Sequence, residues 1–345
     1  MFINLHSHVV TAGMIGAAGR WGPTIEFDEK GYHHIRVGDW HMVQSTPETL
    51  RRVREGWKVN PDELIKVQTD PARRVAKMDQ RGYDKCVVSL PAHFMLYWAE
   101  PEVGVPFATK VNDELAAYCS HAPDRLAFWA HVPLQDPEAA AKEADRAIRE
   151  LGAKGIVHGG ANLGGRDADD EAFYPLYEVL VRHNKPIFVH GYTQAEAVPP
   201  MGQYDKYEIT TAVGFNHDET QMFFNIVAGG VLDEFPDLKI YITHGGGYVP
   251  YHLGRLDAMI ASTADVKNKR PMREYLKNFY FDLELESPAM RRAVVEDIGV
   301  DQLLYGDNFP GTDGVWEIDL ADGIGLSEAD RAAILSGNAT KLLDL

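Results

Sequence analysis

Short apolar runs recur along the chain, and the stretches between them place apolar residues at helical spacing. The first run, Met1-Phe2-Ile3-Asn4-Leu5, ends in His6-Ser7-His8. The others are Lys85 to Leu90, Leu126 to Val132, Gly155 to His158, Pro186 to His190, Lys239 to His244, Phe279 to Leu283 and Gln302 to Asp307. Near-continuous apolar strands are what a parallel sheet covered on both faces requires. Five intervening segments read as amphipathic helices: Pro137 to Leu151, Asp170 to His183, Glu219 to Glu234, Pro288 to Ile298 and Ser327 to Leu343. The first of these has Asp136 at its N-cap and stops at Gly152. Eight strands alternating with helices predict an α/β fold, a (β/α)8 TIM barrel with its active site at the C-terminal strand ends. An open doubly wound sheet competes. No GxGxxG follows the first strand, however, and Gly245-Gly246-Gly247 comes late.

One stretch breaks the alternation. Thr11 to about Lys66 separates strand one from its helix, and it reads as an insertion over the barrel mouth with a small hairpin around Ile25 to Val37. The whole of 1–345 is therefore expected to be one barrel domain, with an insertion at about 11–66.

The chain has 345 residues and a formal net charge of −17, from 34 Lys+Arg against 51 Asp+Glu. That balance argues against nucleic acid or an anionic membrane as partner, since both demand clustered positive charge. It leaves room for a small carboxylate substrate in a local basic pocket. Cys86 and Cys119 are the two cysteines, too few for a disulfide scaffold, so a reducing compartment is the natural reading. With no signal-peptide pattern and no run of 18 apolar residues, the expected location is cytoplasmic.

Polar residues end several of the apolar runs. In a strand His6 and His8 project to the same face, and each buried ring needs a partner for its nitrogens. His190 ends the fifth strand, His244 the sixth, and Asp307-Asn308 the eighth. Any one of these alone reads as a hydrogen-bonded core histidine or a loop-start aspartate, and His131, His158 and His183 keep that reading. In a closed barrel, though, all eight strand ends converge on one cavity. Three histidines with a carboxylate or amide and an open position make a catalytic metal site.

On these residues the chain resembles the amidohydrolase superfamily and, within it, the aminocarboxymuconate-semialdehyde decarboxylase group. The resemblance runs from His6 to the C-terminus and is weakest between Thr11 and Asp70. It is carried by Met78-Asp79-Gln80-Arg81-Gly82, Phe94 to Pro101, Val111-Asn112-Asp113-Glu114-Leu115, Val132-Pro133-Leu134-Gln135, Phe188-Val189-His190, Gly229-Gly230-Val231, and His244-Gly245-Gly246-Gly247 with Pro250 and Arg255. It implies that His6, His8 and His190 hold one divalent metal, zinc or alternatively manganese, and that His244 is the base activating the metal-bound water. Arg255 would reach a carboxylate in the neighbouring subunit of a homodimer, against the plainer reading of a surface arginine. Trp98, with Tyr97, and Tyr192 would lie beside the substrate.

The chain departs from the family pattern twice. The family's eighth strand ends Gly-Thr/Ser-Asp, the aspartate being metal ligand and acid–base group. Here Gly306-Asp307-Asn308 sets Asn308 opposite that aspartate. Asn308 can coordinate through its carbonyl but cannot shuttle a proton. For that reason Asp307 is expected as ligand and catalytic acid–base group, with Asn308 beside the substrate. The family arginine that precedes Asp-Pro-x-Arg has no clear match before Asp70-Pro71-Ala72-Arg73, where Arg51, Arg52 and Arg54 are the candidates. The expected activity is metal-dependent, non-oxidative decarboxylation of an unsaturated or aromatic acid. The rivals are hydration or hydrolysis at the same site, and a catalytically silent ligand-binding barrel.

Overall fold

The structure is a computed structural model that describes residues 1–45, 47–163, 165–192, 209–285, 287–309 and 323–345. All eight expected strands form and pair in parallel. The first, Ile3–His8, pairs with the second, Lys85–Ser89, which pairs with Leu126–Phe128. That third strand is interrupted at Trp129, whose N–H donates to Val88 O at 2.9 Å. It resumes as Ala130–His131 beside the fourth strand, Ile156–Gly159. Ile187–His190, Ile240–Ile242, Phe279–Asp282 and Leu303–Leu304 follow in register. The ring closes through Leu5 N–H to Tyr305 O at 3.0 Å, Phe309 N–H to His6 O at 3.2 Å and His8 N–H to Phe309 O at 2.8 Å. A closed parallel barrel leaves no unpaired edge, so the near-continuous burial of its strands follows.

Aromatic rings fill the barrel below its C-terminal end. Trp129 stacks on Phe188 at 5.1 Å, Tyr241 packs 5.2 Å from Phe188, and Trp129 Nε1–H donates to Leu5 O at 3.0 Å. Outside, Pro71–Arg81 is the helix that returns from strand one to strand two. It is capped by Asp70, which accepts from Ala72 N–H at 2.9 Å, and it ends at Gly82 in the left-handed region. This helix carries Arg74, which is buried. Its guanidinium donates to Ser7 Oγ at 3.1 Å, to Phe309 O at 3.4 Å and to His8 O, tying the ends of strands one and eight together.

Two expected helices match fully, Pro137–Leu151 and Pro288–Ile298. The stretch expected as one helix from Glu219 to Glu234 begins earlier and divides into Phe215–Ala228 and Val231–Glu234, because Gly230 takes a positive φ. The insertion holds more than a hairpin. Thr24–Phe27, His33–Val37 and Trp40–Gln44 form an antiparallel three-stranded sheet, followed by helices Pro47–Arg54 and Pro61–Thr69. Its Trp40 stacks on His93, in the loop after strand two, at 5.0 Å and 16°. Among the described residues, no helix is long and apolar enough to cross a membrane.

Candidate active site

Four imidazoles meet at the barrel mouth. Ring centroids are 5.1 Å apart for His6 and His8, 5.1 Å for His6 and His190, 5.0 Å for His8 and His190, 5.0 Å for His6 and His244, and 4.9 Å for His190 and His244. His6, His8 and His190 each turn one ring nitrogen to a common point, with the three atoms within 4.8 Å of one another.

Their outer contacts set which nitrogen faces inward. His190 Nδ1 lies 2.8 Å from the carbonyl oxygen of Gly191, which can only accept, so Nδ1 carries the proton and Nε2 the lone pair. His8 Nδ1 lies 3.0 Å from Ser89 Oγ, whose hydroxyl points to Ser7 O at 3.4 Å and so accepts from the ring. Nε2 of His6 and of His190 is buried and has no hydrogen-bond partner among the described residues. Burial and the neighbouring imidazoles hold His8 and His190 well below the usual histidine range, so both rings are neutral. Neutral imidazoles aiming unsatisfied lone pairs at one point fit a divalent cation.

His6 is set differently. Its Nδ1 lies 2.9 Å from Glu284 Oε2 and 3.6 Å from Asp282 Oδ2, although neither is aligned as a hydrogen bond. Burial alone would lower His6, but these two carboxylates outweigh it and push the ring up to about 10 without a metal, so a cation bound there would displace the His6 proton. Glu284 also belongs to a second ligand-competent group with His6 and His244.

His244 is oriented by Glu219, which is fully buried in helix Phe215–Ala228. Glu219 Oε1 accepts from His244 Nδ1–H at 2.6 Å, from Thr243 Oγ at 2.6 Å and from Gly191 N–H at 3.0 Å. Burial lowers His244, yet the Glu219 charge prevails and raises it. His244 itself has φ +50, in the left-handed region, and Gly245, Gly246 and Gly247 continue at positive φ. A Cβ on Gly246 would lie 2.4 Å from Phe281, and one on Gly247 would lie 2.5 Å from Asn216 O. The glycine run is what lets this strand end turn sharply enough to aim His244 at the other three rings.

Asp307, expected as metal ligand and acid–base group, is not brought to the ring cluster in this structure. Gly306 takes the inward position, since its Cβ would lie 2.6 Å from His6 Cβ and 2.5 Å from Tyr241 Oη. The next residue therefore leaves on the other side. Asp307 Oδ1 accepts from Asn4 Nδ2 at 2.5 Å, and Oδ2 accepts from the Tyr83 hydroxyl. Asp307 belongs to neither ligand group. Asn308 is half-buried at φ +59.

The structure also sorts the other expected residues. Tyr192 is buried near the cluster, and its hydroxyl donates to Met95 O at 2.8 Å. Trp98 turns instead to the insertion, edge-on to Trp21 at 5.0 Å and against Gly38. Arg255 is exposed on helix Val249–Ser262 and is not brought to the cluster within this chain. Three contributors went unread in the sequence. Phe215 packs 5.2 Å from His190 and 5.8 Å from His244, and Glu219 and Glu284 are described above. Asp282-Leu283-Glu284 carries the same alternate-residue signal at a strand end as His6-Ser7-His8. Glu219, inside a helix, carries no such signal.

A family profile described as amidohydrolase matches residues 6–345. A gamma-resorcylate decarboxylase of Polaromonas sp. is 28% identical over 84% of this chain and 91% of its own length. A 2-keto-4-carboxy-3-hexenedioate hydratase of Sphingobium sp. is 26% identical over 83% of this chain and 85% of its own length. Among solved structures, a dihydroxybenzoic acid decarboxylase from Polaromonas sp. with bound manganese and the inhibitor 2-nitroresorcinol superposes with a TM-score of 0.77. It is 24% identical and covers 100% of this chain and 97% of its own.

Burial lifts Asp307 from 3.8 to about 6, against the opposing bonds from Tyr83 and Asn4. A carboxyl raised in the folded state contributes stability that is complete below its unfolded pKa and is lost as pH rises through its folded one. In equilibrium unfolding, wild type should therefore lose on the order of 3 kcal/mol relative to Asp307→Asn between about pH 4 and about pH 7, with metal content unchanged by the substitution. Parallel pH profiles, or loss of metal in the variant, would refute this placement.

Proposed function

The chain belongs to the amidohydrolase family, and within it we propose a metal-dependent, non-oxidative decarboxylase of an unsaturated or aromatic carboxylic acid. The observation that carries this reading is the convergence of the His6, His8 and His190 nitrogens with the His244–Glu219 pair in one buried mouth. Similarity to the Polaromonas decarboxylase over most of both chains supports it.

His6, His8 and His190 would hold one divalent metal through their inward nitrogens. The ligand chemistry suits zinc, while manganese is the ion in the Polaromonas structure. When bound, the metal supplies positive charge that draws substrate oxygens in and stabilises negative charge developing in the transition state. His244 holds or moves the proton at Nε2, because Nδ1–H is fixed on Glu219, whose charge compensates the imidazolium. Protonation of the substrate carbon that bears the carboxylate lets the carbon–carbon bond break. Its electron pair returns to the unsaturated system and carbon dioxide departs. Phe215, against both His190 and His244, keeps water from the proton.

A second reading, hydration of a carbon–carbon double bond, is favoured by one observation. Glu284 places a carboxylate 2.9 Å from His6 Nδ1, where it can take a proton from an attacking water. The similarity to the Sphingobium hydratase agrees with it.

The homodimer rests on a helical stripe. Tyr251, Arg255 and Met259 recur every fourth residue on Val249–Ser262, and all three are exposed. Arg255 would then serve the neighbouring subunit's site. A cytoplasmic location is supported by Cys86 and Cys119, both free and buried.

Metal-loaded protein incubated with hydroxybenzoates and carboxylated dienoic acids should release carbon dioxide. Water addition without release would instead establish the hydratase. His244→Ala should lower kcat roughly 10²–10⁴-fold with metal content and melting temperature unchanged. If melting and activity fall together, His244 only packs beneath the glycine turn.

Mixing His244→Ala with Arg255→Ala chains should restore part of the activity, because one site of each heterodimer regains both groups. No recovery after demonstrated subunit exchange removes Arg255 from the site.

A further inference from the structure

The three-stranded sheet of the insertion has two unlike faces. Residues opposite one another on paired strands share a face, and the register sets Ile25 against Ile35, Ile35 against Met42, and Val37 against Trp40. Ile25, Val37 and Met42 are buried, and Trp40 stacks on His93, so this face lies against the barrel. The other face carries the rows Glu26–His34–Val43 and Thr24–Arg36–His41. His34 and His41 are thus diagonal neighbours on the outer face, within reach of each other's rings.

His34 Nδ1 and His41 Nε2 are 3.3 Å apart, with ring centroids at 5.4 Å and planes 22° apart, so these nitrogens point at one another. The second nitrogen of His34 is already engaged, because Nε2 lies 3.3 Å from Asp28 Oδ2. A carboxylate only accepts, so in the neutral ring Nε2 carries the proton and Nδ1 the lone pair. Asp28 is fixed in turn, since its Oδ1 accepts from the N–H groups of Lys30 and Tyr32, both at 2.9 Å. His41 is exposed and can keep its own proton on Nδ1 against water, which frees Nε2. Desolvation, then the Arg36 and His34 charges, lower the His41 ring, with Glu26 opposing them. Two lone pairs aimed at each other repel unless a proton or a cation lies between them. Two nitrogens bound to one ion at about 2.0–2.1 Å and a tetrahedral angle stand about 3.3 Å apart. The spacing already suits an ion.

We propose that His34 Nδ1 and His41 Nε2 form a second metal site, on the outer face of the insertion, for a divalent ion of the zinc, nickel and copper class that imidazole selects. Asp28 orients His34 from behind, and water completes the shell on the exposed side. The site shares no residue with the barrel cluster and does not depend on which reaction the barrel performs. Its ion clips His33–Val37 to Trp40–Gln44, the two strands of the hairpin whose Trp40 stacks on His93. The competing occupant is a single proton shared between the two rings, and the experiment separates the two.

Untagged full-length protein is dialysed to equilibrium against nickel(II), and the ions bound per chain are counted by elemental analysis. Wild type should hold one nickel ion more than either His34→Gln or His41→Gln. Both substitutions are made on the outer face of the sheet, so wild type and variants should melt together in the presence of a chelator. The same difference of one ion should persist when His6→Ala and His190→Ala are added to all three chains, which removes the barrel ligands from the count. In hydrogen exchange, nickel should slow the amides of residues 33–44 in wild type and leave them unchanged in both variants. Equal nickel content in wild type and both variants overturns the site and leaves the shared proton as the occupant. Loss of the ion in only one variant overturns the pair as its ligands, and a difference that vanishes with the barrel ligands shows that the ion was never on the insertion.

Discussion

The barrel is organised around ring nitrogens that it buries and leaves without partners among the described residues. An unmade buried hydrogen bond costs about 1–3 kcal/mol, and here Nε2 of His6 and of His190 are both in that state at the same mouth. The surrounding structure enforces the condition rather than relieving it. Gly191 O holds the proton of His190 on the outer nitrogen, and Ser89 does the same for His8. Arg74 ties together the strand ends that carry Ser7, His8 and Phe309, and the Trp129–Phe188 stack forms a floor beneath the cluster. A cation at the common point is the partner these ring nitrogens lack, and it is the reason so rigid a frame is needed.

Charge around the cluster is partitioned by strand. Strand seven and the residues after it supply Asp282 and Glu284 on the His6 side, and the helix after strand five supplies Glu219 on the His244 side. His8 and His190, between them, stay neutral. One pair of histidines therefore offers lone pairs, while His244 has a carboxylate behind it and can carry a proton. The same alternation of environments separates ligand from acid–base group in many metal sites. Asp307, beside the family pattern in sequence, is turned to Asn4 and Tyr83.

The strands were legible because a covered parallel barrel demands near-continuous apolar runs, and the histidines because they end those runs. His6, His8, His190 and His244 converge as their positions imply. Side-chain direction was harder to read where a strand stops short. Leu303–Leu304 is the last regular pairing of strand eight, so whether Asp307 or Asn308 turns inward depends on Gly306, whose missing side chain accommodates His6 and Tyr241. Glu219 lies inside a helix and is recognisable only once His244 is seen against it. The insertion announced itself by its length, but its three-stranded sheet and the Trp40–His93 stack depend on contacts distant in sequence.

The most direct test is anomalous diffraction from crystals of the manganese-loaded protein. The account predicts one strong peak per chain at bonding distance, about 2.0–2.3 Å, from nitrogens of His6, His8 and His190, with Asp307 still bonded to Asn4 and Tyr83. A peak bound by Asp307, a peak away from these three rings, or a chain that takes up no metal would contradict it.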